Sequence, residues 1–345
     1  MGAAAAGAGL RGSRLPLCEA YDTALLDLDG VVYLGRSAVP GAPEALAKAA
    51  AAGMRLAYVT NNSSRTPSAI AAQLAALGVA AGAADVVTSA QAVARLLAER
   101  LPGGSAVLVV GGIGLRAALR ERGLRPVSVA AERPAAVVQG FSRDISYSLL
   151  AEGGLAVAAG AWFVASNGDA TLPTPRGRQP GNGALSQVIA TATGQQPVVA
   201  GKPEPPLHAE AVARTGARQP LVVGDRLDTD IEGAVRAGTD SLLVLTGVSR
   251  PADVVLAPLA RRPTYLAGGL TGLLEPHPAP EPAGAGFRAG GWTARRGADG
   301  RLQLTGDGEQ LDGLRALCAA AWAAGEVTMD AARPALAALE AAHRP

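Results

Sequence analysis

The sequence predicts an α/β fold: parallel sheets covered by helices, followed by a small α+β extension at the carboxyl end. Apolar runs of strand length alternate with Ala-rich helical stretches, which is typical of parallel sheets covered by helices. The chain has 345 residues, which corresponds to two or three domains. A Pro- and Gly-rich segment at 276–286 precedes a tail of different composition, which indicates a linker and a further unit.

Composition and charge exclude several classes of function. The formal net charge is +2, so the chain lacks the basic surface that nucleic acid or an anionic membrane requires. No uncharged apolar run reaches the roughly 18 residues of a membrane span. Residues 1–18 are expected to be a flexible N-terminus without the basic start of a secretory signal. Cys18 and Cys318 are far apart and offer no disulfide framework or zinc site, so the expected location is the cytoplasm.

Each strand and helix is predicted from its hydrophobic pattern. Strands are short apolar runs, whereas helices carry apolar residues at helical spacing. The predicted strands are 24–28, 55–60, 86–89, 106–110, 135–138, 162–166 and 221–223. The predicted helices are 43–52, 67–77, 90–100, 182–193 and 206–215. This order predicts parallel strands that are joined by helices.

The tail, residues 287–345, is expected to form a small ββαα unit. Asp299-Gly300 is a good hairpin turn between two short strand patterns. Leu314, Cys318 and Trp322 then recur at helical spacing. About 60 residues bury too little surface for high stability alone, so we expect this unit to dock on the rest of the chain or to pair with another copy.

Two carboxylates follow the first predicted strand. Asp27 and Asp29 are two residues apart and precede Gly30, and side chains at this spacing in a strand lie on one side. Their mutual repulsion raises the free energy of ionising both, and a divalent cation relieves it. Mg²⁺ binds such carboxylates together with a substrate phosphate. The alternative interpretation is a solvated turn.

Two further segments indicate a phosphate site. Residues 60–65 follow a strand and lead into a helix, so their hydroxyl and backbone N–H groups can bind an anion, although helix capping by Ser64 or Thr66 is an alternative. Lys202 lies between a glycine and a proline, and Lys48 is the chain's other lysine. A lysine in an arginine-rich chain indicates a position where a compact charge must neutralise a phosphate oxygen and the planar guanidinium of arginine would not fit. The alternative is a solvated surface lysine.

A third acidic segment follows the strand 221–223. Asp225 comes directly after Gly224, at the carboxyl edge of the sheet, where open α/β sheets bind ligands. Asp230 begins the next helix and either joins this site or caps the helix. We expect Asp228 to be solvated.

These segments resemble the haloacid dehalogenase-like hydrolases. Residues 20–275 carry the family's motifs in order, namely DLDGV at 27–31, the Thr60 segment, GKPEP at 201–205 and GDRLDTD at 224–230. The segments 138–141, 165–169 and 180–184 look like the 4-nitrophenylphosphatase and phosphoglycolate phosphatase subfamily of class IIA. The appended tail is similar to that of actinobacterial-type glycerol-3-phosphate phosphatases, in which it resembles an acetyltransferase fold.

The resemblance implies a Mg²⁺-dependent phosphatase that acts on small phosphate monoesters through an aspartyl-phosphate. Glycerol 3-phosphate is the favoured substrate, and phosphoglycolate, 4-nitrophenyl phosphate, nucleotides and sugar phosphates are alternatives. Asp27 is the implied nucleophile and Asp29 the acid and base. The implied metal ligands are Asp27, the Asp29 backbone carbonyl, Asp225 and Asp230, and the implied phosphate ligands are Thr60, Asn61 and the catalytic Lys202.

The resemblance also implies the domain organisation. The Rossmann-like catalytic core, a doubly wound parallel sheet, would span 19–90 and 195–275, and an inserted α/β cap over 91–194 would cover the site. Asp169 and Arg143 on the cap are candidates for selecting the leaving group. The subfamily implies a homodimer through the cap. The tail departs from active acetyltransferases because it lacks an Arg/Gln-x-x-Gly-x-Gly/Ala loop, so we expect a degenerate unit that serves docking or regulation.

Three alternatives remain open. Gly112–Ala117 fits G-x-G-x-x-A after a strand, and Glu132 follows near the place of a ribose-binding acid, which is the pattern of a dinucleotide-binding oxidoreductase. A phosphomutase would share the aspartyl-phosphate and pass it to a sugar. The tail would bind acetyl-CoA if it were an active acyltransferase module.

Overall fold

The structure is a computed structural model that describes residues 9–174, 176–323 and 325–341. The helices are α1 (Leu17–Ala20), α2 (Ala42–Ala51), α3 (Pro67–Ala76), α4 (Ser89–Ala98), α5 (Ile113–Glu121), α6 (Tyr147–Ala158), α7 (Asn182–Thr193), α8 (Pro205–Thr215), α9 (Glu232–Arg236), α10 (Pro251–Val255), α11 (Gln310–Ala323) and α12 (Met329–Ala341). The strands are β1 (Thr23–Leu26), β2 (Tyr33–Leu34), β3 (Ser37–Ala38), β4 (Arg55–Thr60), β5 (Val86–Thr88), β6 (Ala106–Val110), β7 (Arg125–Val127), β8 (Ala136–Gln139), β9 (Trp162–Ala165), β10 (Thr171–Thr174), β11 (Gly177–Pro180), β12 (Val198–Val199), β13 (Pro220–Gly224), β14 (Asp240–Val244), β15 (Tyr265–Ala267), β16 (Glu281–Ala283), β17 (Gly286–Ala289), β18 (Trp292–Arg296) and β19 (Leu302–Gly306).

The chain divides into two compact units. The first holds residues up to 56, then 77–79 and 217–345, and the second holds 57–76 and 80–216. The predicted α/β class is confirmed, because most strands of both units pair in parallel. The predicted elements differ from the observed ones by a residue or two at their ends, which is the usual uncertainty of such boundaries.

Parallel strands in the order β15-β14-β13-β1 form the sheet of the first unit. Their residues are nearly all buried, as expected for strands covered on both faces. Leu26 is in register with Val223, so the residues that follow β1 and β13 emerge at the same edge. β1 ends two residues before the predicted strand does, because the carbonyl of Leu28 accepts the N–H groups of Val32 and Tyr33 in a turn.

The second unit has its own parallel sheet, in the order β12-β9-β8-β6-β7. Its apolar cluster is formed by valine, leucine and a few larger side chains, among them Leu108, Phe163 and Ile189. The same unit contains the parallel pair β4–β5 and the antiparallel hairpin β10–β11. Helices α6 and α7 pack on each other and on strands of this sheet.

The carboxyl-terminal tail forms an antiparallel sheet, β16-β17-β18-β19, followed by α11 and α12. The hairpin and both helices agree with the predicted ββαα pattern, but two strands precede them. β16 lies inside the segment that was expected to be a linker; it is short, contains Pro282 and occupies a sheet edge, where proline is tolerated. These features hide a strand from a hydrophobic pattern.

The tail docks on the first unit through a shared apolar core. One cluster of buried side chains joins Leu227, Val254 and Leu266 of the first unit's α/β part to Trp292 and Trp322 of the tail. The indole N–H of Trp322 donates to the Val254 carbonyl at 3.3 Å. The expected docking is therefore observed.

Part of the predicted flexible N-terminus is packed. Residues 1–8 lie outside the described residues, but Arg11 donates its N–H to Thr264, and Ser13 exchanges two backbone hydrogen bonds with His277 at 2.7 and 2.9 Å. His277 is buried, and its Nε2 donates to the Gly272 carbonyl at 2.8 Å. Within the described ranges, no helix has the length and apolar character needed to cross a membrane.

Candidate active site

Three aspartates come together at the carboxyl edge of the first unit's sheet. Asp27 follows β1, Asp225 follows β13, and Asp230 lies in a π-helical turn at Leu227–Ile231. One carboxylate oxygen of each lies within 4.8 Å of the others. Asp225 and Asp230 are buried and Asp27 is half-buried. Among the described residues this cluster brings together three of the aspartates predicted from the sequence.

Close packing fixes the carboxylate of Asp225. Its Oδ2 accepts the N–H of Val248 at 2.7 Å. A Cβ atom at Gly247 would lie 2.5 Å from Cγ of Asp225, and one at Gly30 would also lie 2.5 Å from it. Gly30 has φ of 89° as well, a conformation that disfavours other residues. The glycine of the DLDGV segment therefore serves both the turn and the approach of Asp225.

Two aspartates in the turn after β13 have different environments. Asp230 is 1% exposed, and its Oδ2 accepts the N–H of Arg226 at 3.2 Å. Asp228 points to solvent and forms a bidentate ion pair with Arg226, at 3.0 and 2.9 Å. Asp228 is thus solvated, as expected, while Asp230 joins the cluster.

Asp29 lies beyond the cluster, with an exposed side chain. Partial desolvation raises the pKa of its carboxyl above the ordinary value, although a hydrogen bond from the Gly35 N–H opposes the shift. A carboxyl that holds its proton to higher pH and remains accessible is suited to general acid and base catalysis.

In the second unit, Asn61 and Lys202 form a paired contact. The Asn61 Oδ1 accepts the Lys202 N–H at 2.8 Å, and the Asn61 Nδ2 donates to the Lys202 carbonyl at 3.1 Å. The Lys202 Nζ donates to the Val59 carbonyl at 3.2 Å. A Cβ atom at Gly201 would lie 2.6 Å from the Asn61 Oδ1, which explains the glycine before Lys202. The side chain of Asn61 is therefore engaged with the protein, and only its backbone N–H is suited to a phosphate.

The two cap candidates differ in environment. Asp169 is half-buried, and its Oδ2 accepts a hydrogen bond from the Asn61 Nδ2 at 3.3 Å. Arg143 is exposed on the loop between β8 and α6. Thr60 is buried at the end of β4, and its Oγ1 accepts the Asn62 N–H at 3.1 Å. The structure thus links Asp169, Asn61 and Lys202 in one network and leaves Arg143 outside it.

Several residues of this network were not among the predicted site residues, although Ser63, Ser166 and Asn167 lie in segments that the sequence analysis singled out. The Asn61 carbonyl accepts hydrogen bonds from Ser89 Oγ at 2.7 Å and from Asn167 Nδ2 at 2.8 Å. Ser63 and Ser166, both buried, share a hydroxyl hydrogen bond of 2.8 Å. Ser89 directly follows β5, a strand end like those of the recognised motifs, and that position was the available signal.

The dinucleotide-binding alternative does not fit the structure. A Cβ atom at Gly114 would lie 2.5 Å from the carbonyl oxygens of Ser63 and Arg65, so the glycine makes room for the protein's own chain. A pyrophosphate would need that space. Glu132, the expected ribose ligand, forms an ion pair with Arg125 instead.

The aspartate cluster is suited to a hard divalent cation. Three carboxylates at one point repel one another, and a cation with oxygen ligands offsets that repulsion. The donors are all carboxylate oxygens, the ligands that Mg²⁺ prefers. The residues present therefore fit Mg²⁺.

Comparisons with known proteins agree with this geometry. The model of the haloacid dehalogenase-like hydrolases matches residues 24–125, and a second model of HAD-like hydrolases matches residues 199–273. The D-glycerol 3-phosphate phosphatase of Mycobacterium tuberculosis is 47% identical over 315 residues, 89% of this chain and 88% of that protein. The chain belongs to the haloacid dehalogenase-like hydrolase family.

Other members extend the comparison. A 5′-nucleotidase of Bacillus subtilis is 40% identical over 234 residues, 67% of this chain and 90% of that protein. The crystal structure of the glycerol phosphate phosphatase of M. tuberculosis in complex with magnesium is 44% identical with a TM-score of 0.85, over 95% of this chain and 99% of that one. The p-nitrophenyl phosphatase of Archaeoglobus fulgidus is 28% identical with a TM-score of 0.68, over 74% and 98% of the two chains. A GCN5-related N-acetyltransferase like domain matches residues 289–341, which confirms the predicted similarity of the tail to an acetyltransferase fold.

Proposed function

We propose that this chain is a Mg²⁺-dependent phosphatase of small phosphate monoesters, with glycerol 3-phosphate as the favoured substrate. The cluster of Asp27, Asp225 and Asp230 is the observation that carries the proposal. The similarity to a glycerol phosphate phosphatase in complex with magnesium supports the substrate and the metal. Asp27, Asp225, Asp230 and the backbone carbonyl of Asp29 would hold Mg²⁺, which would offset the repulsion between the anionic nucleophile and the phosphate.

In the proposed mechanism, Asp27 is the nucleophile. A carboxylate oxygen of Asp27 forms a bond to phosphorus while the bond from phosphorus to the ester oxygen breaks, which gives an aspartyl-phosphate. Asp29 donates a proton to the leaving oxygen and then takes a proton from water. That water attacks the phosphorus, releases inorganic phosphate and regenerates Asp27. The raised pKa of Asp29 supports its role as the acid.

Thr60, the Asn61 backbone and Lys202 are the proposed phosphate ligands. Lys202 supplies positive charge, and Thr60 and Asn61 supply hydrogen-bond donors. Their contribution is greatest when charge redistributes over the phosphoryl oxygens, and the loss of one such donor costs about 3–4 kcal/mol of transition-state stabilisation. The hydrogen bonds of Asn61 to the Lys202 backbone support a common function for this group.

The substrate's leaving group would be selected by the cap, which we place at 91–194 between core segments 19–90 and 195–275. Asp169 is the stronger candidate, because its carboxylate can accept a hydrogen bond from a hydroxyl group of glycerol. The hydrogen bond from Asn61 Nδ2 orients that carboxylate. Arg143 is a second candidate for a charged leaving group. Phosphoglycolate, 4-nitrophenyl phosphate, nucleotides and sugar phosphates remain alternatives, and the similarity to a 5′-nucleotidase keeps the nucleotides among them.

We further propose a homodimer formed through the cap and a cytoplasmic location. Tyr147 and Leu155 on α6 and Val188 on α7 are exposed, and these two helices pack on each other. Exposed apolar side chains of this kind are available to a protein interface. Leu155→Glu is expected to shift the sedimentation coefficient from dimer to monomer; an unchanged coefficient would contradict the cap interface. The free thiols of Cys18 and Cys318 accord with a reducing compartment.

Asp27→Asn tests the proposed activity. Hydrolysis of a panel of phosphate esters is compared by kcat/KM, with and without Mg²⁺. We expect glycerol 3-phosphate to give the highest value, and Asp27→Asn to abolish turnover without loss of the folded state. Asp228→Asn is the matched control, because Asp228 is an exposed acid of the same region. Turnover by Asp27→Asn, or turnover by the wild type without a divalent cation, would contradict the mechanism.

A further inference from the structure

A polar cavity of about 490 Å³ lies in the second unit, where α4 packs on α5 and α8. Its lining includes three arginines, Arg95, Arg122 and Arg214, and two glutamates, Glu99 and Glu210. None of these residues belongs to the proposed catalytic machinery. The cavity therefore needs an explanation of its own.

Glu210 is the fixed centre of this group. Its side chain is 0% exposed. The Arg122 Nη2 donates hydrogen bonds to both Glu210 carboxylate oxygens, at 3.0 and 3.3 Å. The Arg214 Nε donates a further hydrogen bond to Oε1. Arg95 Nη1 approaches Oε2 at 3.6 Å. Burial of a carboxylate is costly unless it is paired, so this pairing holds the three guanidinium groups in place.

The cluster has more positive charge than Glu210 can neutralise. Glu99 pairs with Arg95 at 2.8 Å, but Glu99 is largely exposed, which weakens its effect. Three arginines against two glutamates leave one net positive charge, and one bidentate arginine would suffice to pair Glu210. The three guanidinium groups also repel one another, because they converge on one carboxylate.

The cluster also has N–H donors to spare. Arg214 uses only Nε and Arg122 only Nη2 on protein acceptors among the described residues. The three side chains are between 29% and 39% exposed, so the remaining guanidinium N–H groups can reach a ligand from solvent. Fixed guanidinium groups of this kind bind phosphate and carboxylate oxygens through pairs of hydrogen bonds.

We propose that this cavity is a second anion site, which binds a small oxyanion such as a phosphate or a carboxylate group. The anion would accept hydrogen bonds from Arg122 and Arg214 and offset the excess charge. Because the arginines come from α4, from the residue after α5 and from α8, a bound anion would tie these three helices together. The inference does not depend on the proposed phosphatase activity.

Anion binding by the intact protein tests the proposal. Inorganic phosphate and, separately, malonate are titrated calorimetrically into the wild type, Arg122→Gln and Ala213→Glu. Ala213 lines the cavity and is exposed, so its replacement by glutamate supplies a competing carboxylate without removing a partner of Glu210. Ala213→Gln is the matched control of equal size without charge.

We expect the wild type and Ala213→Gln to bind one more anion per chain than Ala213→Glu, or to bind it at least about tenfold more tightly. Arg122→Gln should lose the same event, and kcat in anion-free buffer should stay unchanged. A preference between phosphate and malonate identifies the source of the anion. Identical titrations of wild type and Ala213→Glu with both probes would overturn the proposal, because the N–H groups would then be merely solvated. If Arg122→Gln does not fold, the Ala213 pair still decides the question.

Discussion

Replacement of Gly247 by alanine tests how closely the fold holds Asp225. The new Cβ atom would lie 2.5 Å from Cγ and 2.8 Å from Cβ of Asp225, inside the contact distance of carbon atoms. Asp225 must therefore move and lose its 2.7 Å hydrogen bond from Val248. Disturbance of a residue that orients a metal ligand weakens metal binding by about 10- to 100-fold, which corresponds to about 1.4–2.8 kcal/mol.

The assay is the Mg²⁺ dependence of phosphate release, together with a calorimetric titration of Mg²⁺ into the substrate-free protein. Gly268→Ala is the matched control, because a Cβ atom there meets nothing within 4 Å. We expect Gly247→Ala to need about 10- to 100-fold more Mg²⁺ for half-maximal activity, and Gly268→Ala to behave like the wild type.

The result that would refute the reasoning is a Gly247→Ala protein with wild-type Mg²⁺ affinity and wild-type kcat. It would mean that Asp225 tolerates displacement and does not bind the ion directly. Lower thermal stability of Gly247→Ala cannot be mistaken for the expected rise in Mg²⁺ requirement, because the concentration of folded protein is measured before each titration.

Three further predictions concern other parts of the molecule. Asn61→Ala should lower kcat/KM by about 10- to 100-fold, because about 1–3 kcal/mol is lost when the Lys202 backbone loses its partners; a wild-type value would contradict the positioning role. Burial lowers the pKa of His277. Below about pH 6.5, His277 therefore binds a proton in the unfolded chain but stays neutral in the folded chain. The free energy of unfolding then falls by up to about 1.4 kcal/mol per pH unit until the pKa of the folded state is reached. In urea unfolding at several pH values, His277→Gln should show a shallower decline than the wild type, and equal slopes would exclude His277 as a cause. Trp322→Ala should destabilise the first unit by about 3–5 kcal/mol in denaturant unfolding, and a transition of the tail alone would argue against the shared core.

The position of the aspartate cluster at this sheet edge was predictable from the sequence because its determinants are local. Asp27 and Asp225 each follow a buried strand, and neighbouring parallel strands bring their carboxyl ends to one edge. The role of the Asn61 side chain was not predictable, because its partners at Asp169 and Lys202 are more than a hundred residues away. The hydrogen bond from the Val248 N–H to Asp225 was also not predictable, because every residue except proline has a backbone N–H and the residue type therefore gives no indication of it.

The tail shows the same division. Its helices follow from the spacing of Leu314, Cys318 and Trp322, and its hairpin from Asp299-Gly300. The edge strand Glu281–Ala283 was not predicted, because two of its three residues are exposed and one is proline. Its alignment is set by the antiparallel partner Gly286–Ala289, which a hydrophobic pattern does not reveal.

The shared core between the tail and the first unit has a consequence for how this chain can change. Truncation before residue 287 would uncover Val254, Val255 and Leu266, which now pack in one cluster with the tail. The truncated chain would expose an apolar face, and exposed apolar surface promotes aggregation, so the tail's helices are needed to cover that face whether or not the tail has an activity of its own. Side chains of the tail that do not pack in this cluster carry no such restraint, so they can be replaced without exposing the apolar core of the first unit.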